Sequence, residues 1–176
     1  MLRFVEEITK AVRQEIDGIH TAVPAEVISF NADTCRATVL PKAKITLEDK
    51  RVIDYPILND VPVCFPFMQS DDTAIAFPIK AGDSCLVVFC EQALDTWLGD
   101  GDTSSEIRFS LTNAIIIPGL IKTPSSLCKE AVKDNAIVIK NGTAKIVLKN
   151  GVTEISGSVS IDGDLTVAGK IKNQGE

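Results

Sequence analysis

The side chains that could carry chemistry are few and are scattered along the chain. Five cysteines occur, an odd number, and no two of them have the CxxC spacing of a zinc or redox motif. We therefore expect neither zinc ligation nor a disulfide framework. Cys64, Cys85 and Cys90 lie in apolar runs, which predicts small buried hydrophobic side chains in a reducing compartment.

A catalytic arrangement is not indicated either. His20 is the single histidine, so a serine–histidine–aspartate triad would depend on it alone, and we expect it to be a surface residue. The chain has no glycine-rich phosphate loop, no HExxH and no GxSxG motif. Its carboxylates fall mostly in predicted turns, where they are usually solvated. We predict that the protein is not an enzyme and binds no metal and no cofactor.

Composition narrows the class of partner. The net charge is −6 and aromatic residues make up 5% of the chain, so a basic, aromatic nucleic-acid surface is not expected. Hydrophobic residues make up 45%, enough for a packed core. No apolar run approaches the roughly 20 residues of a membrane-spanning helix. The acidic start lacks the apolar stretch of a signal peptide, which favours folding in a cytoplasm.

Two segments with different periodicity precede residue 122. Apolar residues recur at three- and four-residue steps over residues 2–19, which predicts an amphipathic helix that must bury its apolar stripe. Residues 20–121 hold five or six short apolar runs separated by polar turns, the pattern and size of a small closed β-barrel. Among them we predict a hairpin at 25–40, a strand at 73–78 and a buried central strand at 84–90.

The composition changes after a polar linker at 122–133, because no aromatic residue follows Phe109. From 151 onward a glycine recurs every six residues, and aliphatic residues stand at the second or fourth position before it. Alternation along a strand would place the aliphatics on one face and the polar residues on the other. A fixed short period of this kind is typical of a β-solenoid. The glycines are Gly151, Gly157, Gly163, Gly169 and Gly175.

Two solenoids could explain the repeat. A left-handed hexapeptide helix of one chain would form fewer than two coils from five hexads, too few to bury a core. Three chains wound about one axis would instead share an aliphatic interior and pair their strand edges with one another. We favour the second arrangement and predict that it spans residues 134–176. Its predicted core side chains are Ile155, Val159, Ile161, Leu165, Val167 and Ile171, with the glycines at its turns.

Several motifs resemble a known family. They are residues 55–63, residues 94–97, residues 113–120 and the pattern Pro-x-x-x-Gly-Asp-x-x-Leu-Val-x-Phe at 78–89. These segments resemble the N-terminal domain of the membrane-puncturing central spike, or baseplate assembly protein, of contractile-tailed bacteriophages. The motif resemblance covers about residues 20–120, and the glycine repeat resembles the needle of the same family in architecture.

The resemblance implies a mainly β protein in four parts. These are an N-terminal helix (1–19), an OB-fold collar (20–121), a linker (122–133) and an intertwined trimeric β-helix (134–176). It further implies a homotrimer in the virion, assembled in the host cytoplasm, whose collar attaches to the baseplate hub or the tail-tube protein. The needle would pierce the host outer membrane, and no nucleic acid would be bound.

The sequence departs from the family in one feature, and two alternative functions stay open. Some relatives end in a His-x-His motif that binds iron at the tip, whereas the single histidine here is His20. The chain has another tip, or a separate tip protein caps it, or it stops short of its natural end. The same spike could serve a bacteriocin-type injection device. An OB-fold binding module for single-stranded nucleic acid or oligosaccharide is the alternative of a different class.

Overall fold

A helix and a curled sheet build the first part of the molecule. The computed structural model describes residues 2–47, 49–99 and 107–172, and the chain divides into two units, Met1–Lys122 and Thr123–Glu176. The predicted N-terminal helix is present as α1, Leu2–Asp17. It ends where the Gly18 amide bonds back to the carbonyl oxygens of Gln14 and Glu15.

The remaining elements of the first unit are short strands, a 3₁₀ turn at Gln69–Asp71 and the four-residue helix α2, Asp95–Leu98. The strands are β1 (Ala22–Asn31), β2 (Arg36–Pro41), β3 (Lys44–Thr46), β4 (Val52–Asp54), β5 (Leu58–Pro62), β6 (Phe67–Met68), β7 (Thr73–Ala74), β8 (Ser84–Phe89) and β9 (Ala114–Pro118).

Five of these strands form one antiparallel sheet in the order β5-β2-β1-β8-β9. The predicted hairpin is confirmed as β1 and β2, with Asn31 opposite Arg36. The sheet curls into a half-barrel whose two edges approach each other beyond β5. There Val63 forms a parallel bridge with Ile116, and the Cys64 amide donates to the Ile116 carbonyl oxygen at 2.8 Å. The curl therefore pairs part of both edges within the chain.

The core lies inside this curled sheet, because alternate side chains of each strand point inward. Val39, Val87 and Ile116 are each 0% exposed. The predicted central strand is confirmed as β8, between β1 and β9, although one of its faces is only half-buried. The buried hydrophobic side chains of the cluster are Ala25, Val27, Ala37, Val39, Leu58, Val61, Ile79, Cys85, Val87, Phe89, Ala114 and Ile116.

The Gly-Asp pair of the 78–89 motif forms the turn that leads into β8. Gly82 has φ +91°, a conformation that a side chain would strain. The Asp83 carboxylate accepts from the Lys80 amide at 2.7 Å. The turn is also joined to β1, because the Val27 amide donates to the Asp83 carbonyl at 2.8 Å and the Gly82 amide donates to the Val27 carbonyl at 2.9 Å. The motif therefore holds the start of β8 against β1.

Three expectations for this unit are wrong. The strand expected at 73–78 stops at Ala74, because the chain pairs only briefly with β6 before it reaches Pro78, which has no amide hydrogen. Cys64 is exposed rather than buried. His20 is half-buried: its ring lies 5.6 Å from the rings of both Tyr55 and Phe89, and its Nδ1 is 3.4 Å from the Tyr55 hydroxyl.

The second unit contains a helix and a three-stranded antiparallel sheet. The segment expected to be a linker holds α3, Ser126–Asp134. It is followed by β10 (Ile137–Asn141), β11 (Ala144–Lys149) and β12 (Val152–Ser156), which pair in that order. Residues 157–172 form no strand within the described chain. The β-helix expected at 134–176 is therefore not seen in the single chain, where its first part is a meander.

Packing inside the curled sheet predicts a contrast between two adjacent isoleucines of β9. Ile116→Ala should lower the free energy of unfolding by about 2–5 kcal/mol, because it leaves a cavity at a fully buried position. Ile117→Ala, at a position that is 43% exposed, should cost less than about 1 kcal/mol. Guanidinium unfolding followed by circular dichroism, at one protein concentration, measures both. Equal losses would contradict the assignment of the core.

Candidate oligomerisation surface

The sheet of the second unit has two chemically different faces. Side chains directly opposite each other in an antiparallel pair lie on the same face. Ile139 is opposite Ile146, which is in turn opposite Ile155, and Ile137 is opposite Leu148. These five side chains form one surface, which we call the aliphatic face. All five are exposed, from 37% for Ile146 to 64% for Ile137.

The opposite face is the one that α3 covers. Val147, whose neighbours Ile146 and Leu148 point to the aliphatic face, is only 2% exposed. On the same face as Val147, the Lys145 ammonium contacts the Glu130 carboxylate of α3 at 2.5 Å. The ion pair therefore places α3 on this side, and no described segment of the chain covers the other side.

Local sequence signals set the ends of α3. The Ser125 hydroxyl accepts from the Leu127 amide at 3.1 Å, which satisfies one of the free amides of the first turn. Asn135 then stops the helix in a left-handed conformation, φ +47°. The serines next to Pro124 can also mark a loop, so composition alone did not reveal this helix.

Two charged groups on the covered face have shifted pKa values. The hydrogen bond from Lys145 lowers the pKa of Glu130 below its ordinary value. The hydrogen bond to Glu154 raises the pKa of Lys149, and the ammonium lies 2.8 Å from that carboxylate and 3.9 Å from Asp134. Both shifts mean that the folded unit favours the charged forms.

Tight turns connect the strands of the meander. The loop between β10 and β11 contains Gly142 at φ +59°, and the loop between β11 and β12 contains Gly151 at φ +81°. Each loop has two residues, which is short enough to fix the register of the strands it joins. Gly151, a predicted turn residue, therefore does lie in a turn.

The repeat that follows β12 continues the alternation of the aliphatic face. Ile155 has an odd number, and from 153 to 171 every odd position holds Thr, Ile, Val, Leu or Gly. The even positions from 154 to 172 hold Glu, Ser, Asp, Thr, Ala and Lys. An extended chain would therefore continue the same apolar side without interruption. The predicted core residues here are all exposed: Val159, Ile161, Leu165, Val167 and Ile171.

The six predicted core residues do not come together in the structure. Ile155 joins the aliphatic face, while the other five lie in residues 157–172, outside any strand. Gly157 and Gly163 have positive φ, at +111° and +137°; Gly169 shows no positive φ. Gly175 lies outside the described residues. Within residues 2–47, 49–99 and 107–172, no contact brings these five aliphatic side chains together.

Sequence reasoning missed four members of the aliphatic face: Ile137, Ile139, Ile146 and Leu148. Their signal is the alternating runs Ile-Val-Ile and Ile-Val-Leu. A search for a six-residue period passes over them, because Gly142 and Gly151 are nine residues apart.

Other kinds of site are not indicated in the described residues. No group of three or more His, Cys, Asp or Glu side chains there could hold a metal ion. Burial raises the pKa of the Cys85 thiol to about 11, so that this thiol stays protonated and unreactive at neutral pH. The helices described are all too short or too polar to cross a membrane.

A family model described as phage protein Gp138 N-terminal domain matches residues 23–119, more than half of the chain. The chain belongs to this family. The match begins within β1 and ends just after β9, so it covers all of the curled sheet of this Gp138-family protein except Ala22. Membership makes it a structural protein of a bacteriophage, associated with the virion. No curated protein matches the chain.

The contact between α3 and the sheet predicts a pH effect. Because the pKa of Glu130 is lowered on folding, its contribution to stability is full above the unfolded value of about 4.3 and is lost as the pH falls through the folded value. Glu130→Gln removes this titration. The thermal midpoint of the wild type should exceed that of the variant at pH 7, and the gap should close toward pH 3.

Lys145→Met removes the partner of Glu130 and serves as the second variant. Its midpoint should also approach that of the wild type in acid. A gap that stays constant from pH 7 to pH 3 would show that the ionised pair contributes nothing to the packing of α3.

Proposed function

We propose that three copies of this chain form the central spike at the end of a contractile phage tail. The curled sheet is the collar that attaches to the baseplate hub or tail-tube protein, and the residues that follow α3 form the needle. The needle is driven through the outer membrane of the host when the tail contracts. The work is mechanical, so the proposal assigns no catalytic residue and no metal.

The observation that carries this proposal is the uncovered apolar surface of the second unit. The aliphatic face and residues 157–172 together expose ten aliphatic side chains at alternate positions of the chain. Burying such a side chain stabilises a structure by roughly 1.5–3 kcal/mol, and exposed patches of this kind mark interaction sites. No residue in the described part of the chain covers them, which supports a second chain as the cover.

Copies of the same chain are the favoured cover, because the repeat has the geometry of a self-pairing strand. Residues 157–172 make no backbone hydrogen bond to any other described residue, so their amides and carbonyls are free to pair with a neighbouring copy. Three copies about one axis would turn every aliphatic side chain inward and every even-numbered polar side chain outward. The same arrangement leaves no strand edge unpaired along its length.

A single-chain solenoid fits these observations less well. Residues 137–156 already pair as an antiparallel meander through two-residue turns, so they are not coils of a solenoid. The remaining repeat is then too short to stack several coils upon each other. Association between chains is the route left for burying Val159 through Ile171.

The collar assignment rests on the order of the strands in the first unit. We propose that the half-barrel is an OB-fold, a five-stranded, partly open barrel. The order β5-β2-β1-β8-β9, with a parallel bridge from Val63 to Ile116 that joins the two ends of the order, is what such a barrel requires. A barrel that covers its own core can stay folded while the needle of the same chain changes its partners.

Charge substitution inside the proposed needle provides the test. Leu165→Asp places a carboxylate on the shared apolar side and should abolish the trimer, since an unpaired buried charge is strongly disfavoured. Thr166→Asp introduces the same group on the polar side and should leave the trimer intact. Light scattering coupled to gel filtration should give a mass near three times 18.9 kDa for the wild type and for Thr166→Asp.

Leu165→Asp should run as a monomer whose curled sheet remains folded, as judged by the dispersion of its NMR amide signals. A stable trimer from Leu165→Asp would remove Leu165 from the core. A monomeric wild type would refute the spike and would favour a monomeric binding module built on the barrel.

A further inference from the structure

The N-terminal helix carries an apolar stripe that the described residues of its chain leave exposed. In α1 the side chains of Val5, Ile8, Val12 and Ile16 are each about half exposed, at 57%, 48%, 51% and 58%. None of them belongs to the buried cluster of the curled sheet. A helix of this length is marginal on its own in water, so an amphipathic α1 needs a partner surface.

The spacing of the stripe fits a coiled coil. With Leu2 at position a, the heptad places Val5 at d, Thr9 at a, Val12 at d and Ile16 at a. Ile8 falls at g, beside the seam.

Thr9 is a polar residue at position a, and its hydroxyl group does not oppose burial between helices. The Thr9 hydroxyl donates to the Val5 carbonyl oxygen at 2.8 Å, so that its hydrogen is satisfied within the helix. Away from the seam, Arg3 and Glu7 form an ion pair at 3.5 Å between positions b and f, the side that faces solvent in a coiled coil.

We propose that the three copies of α1 in the trimer pack against one another as a parallel three-helix coiled coil. This inference rests on the proposed function, because the threefold axis of the needle is what makes the copies parallel. In that arrangement position g of one helix faces the next e position of its neighbour. Ile8 at g then lies against the aliphatic part of the Arg13 side chain at e, and this pair brings no two like charges together.

The connection to the barrel makes the association efficient. The helix ends at Asp17, and three residues later the His20 amide donates to the Phe109 carbonyl at 3.2 Å. A tether this short holds each α1 close to its own barrel. Once the needle has brought three chains together, the three helices meet at a high effective concentration.

Two aspartate variants of the full chain test the proposal. Val12→Asp puts a carboxylate in the seam, whereas Ala11→Asp puts it at position c on the solvent side. Alanine is the better helix former, so Ala11→Asp carries the larger intrinsic cost. Val12→Asp should nevertheless remove roughly half of the helical ellipticity at 222 nm, because α1 contributes 16 residues and the other helices 4 and 9. Ala11→Asp should remove much less.

Contact between copies is tested by oxidative cross-linking. Thr9→Cys, in the seam, should give a disulfide-linked dimer on a denaturing, non-reducing gel, while Ala11→Cys should give only the background of the native cysteines. If both cysteines cross-link equally, or if both aspartate variants lose the same ellipticity, the coiled coil is refuted.

The mass of the wild type separates the two proposals. A trimer with equal effects of Val12→Asp and Ala11→Asp refutes only the coiled coil. A monomeric wild type refutes the spike, and the coiled coil with it.

Discussion

An apolar strand face that no described segment of the chain covers is the constraint on which the C-terminal part of this protein depends. Alternation with a period of two commits every second side chain to one side. Between Ile137 and Ile171 ten exposed aliphatic side chains follow this alternation, and α3 lies on the opposite side of the meander. The chain can be soluble as a monomer only with this surface in water. In the proposed trimer, burying this surface between copies would be favoured by the hydrophobic effect.

The first unit, in contrast, buries the apolar side of its strands within its own curled sheet. Its sheet curls until Val63 reaches Ile116, so inward side chains from five strands meet and exclude water without a partner. The strand edges are shortened, and the turn at Gly82 and Asp83 is joined to β1 through two backbone hydrogen bonds with Val27. In the proposed spike, the curled sheet would stay folded while the second unit forms the assembly.

The sequence predicted the strands and turns that depend on residues close to each other along the chain. The β1–β2 hairpin, the internal strand β8 and the turn at Gly151 follow from alternation and glycine placement. Features that depend on distant contacts were not predictable. His20 is half-buried because Tyr55 and Phe89 surround it. The hexad glycines pointed to the right region, but which four earlier residues share the aliphatic face follows from strand register.

The family match and the proposed needle involve different residues. The match ends at residue 119, whereas the aliphatic face and the repeat begin later. Membership therefore covers the curled sheet and the association with the virion, and the proposed trimer rests on the exposed aliphatic side chains. Exposed apolar side chains thus occur both in α1 and in residues 157–172. In the proposed trimer the first set would be buried between packed helices and the second between paired strands. Association of the chains at one end would hold their other ends close together, so each contact would strengthen the other in the proposed trimer.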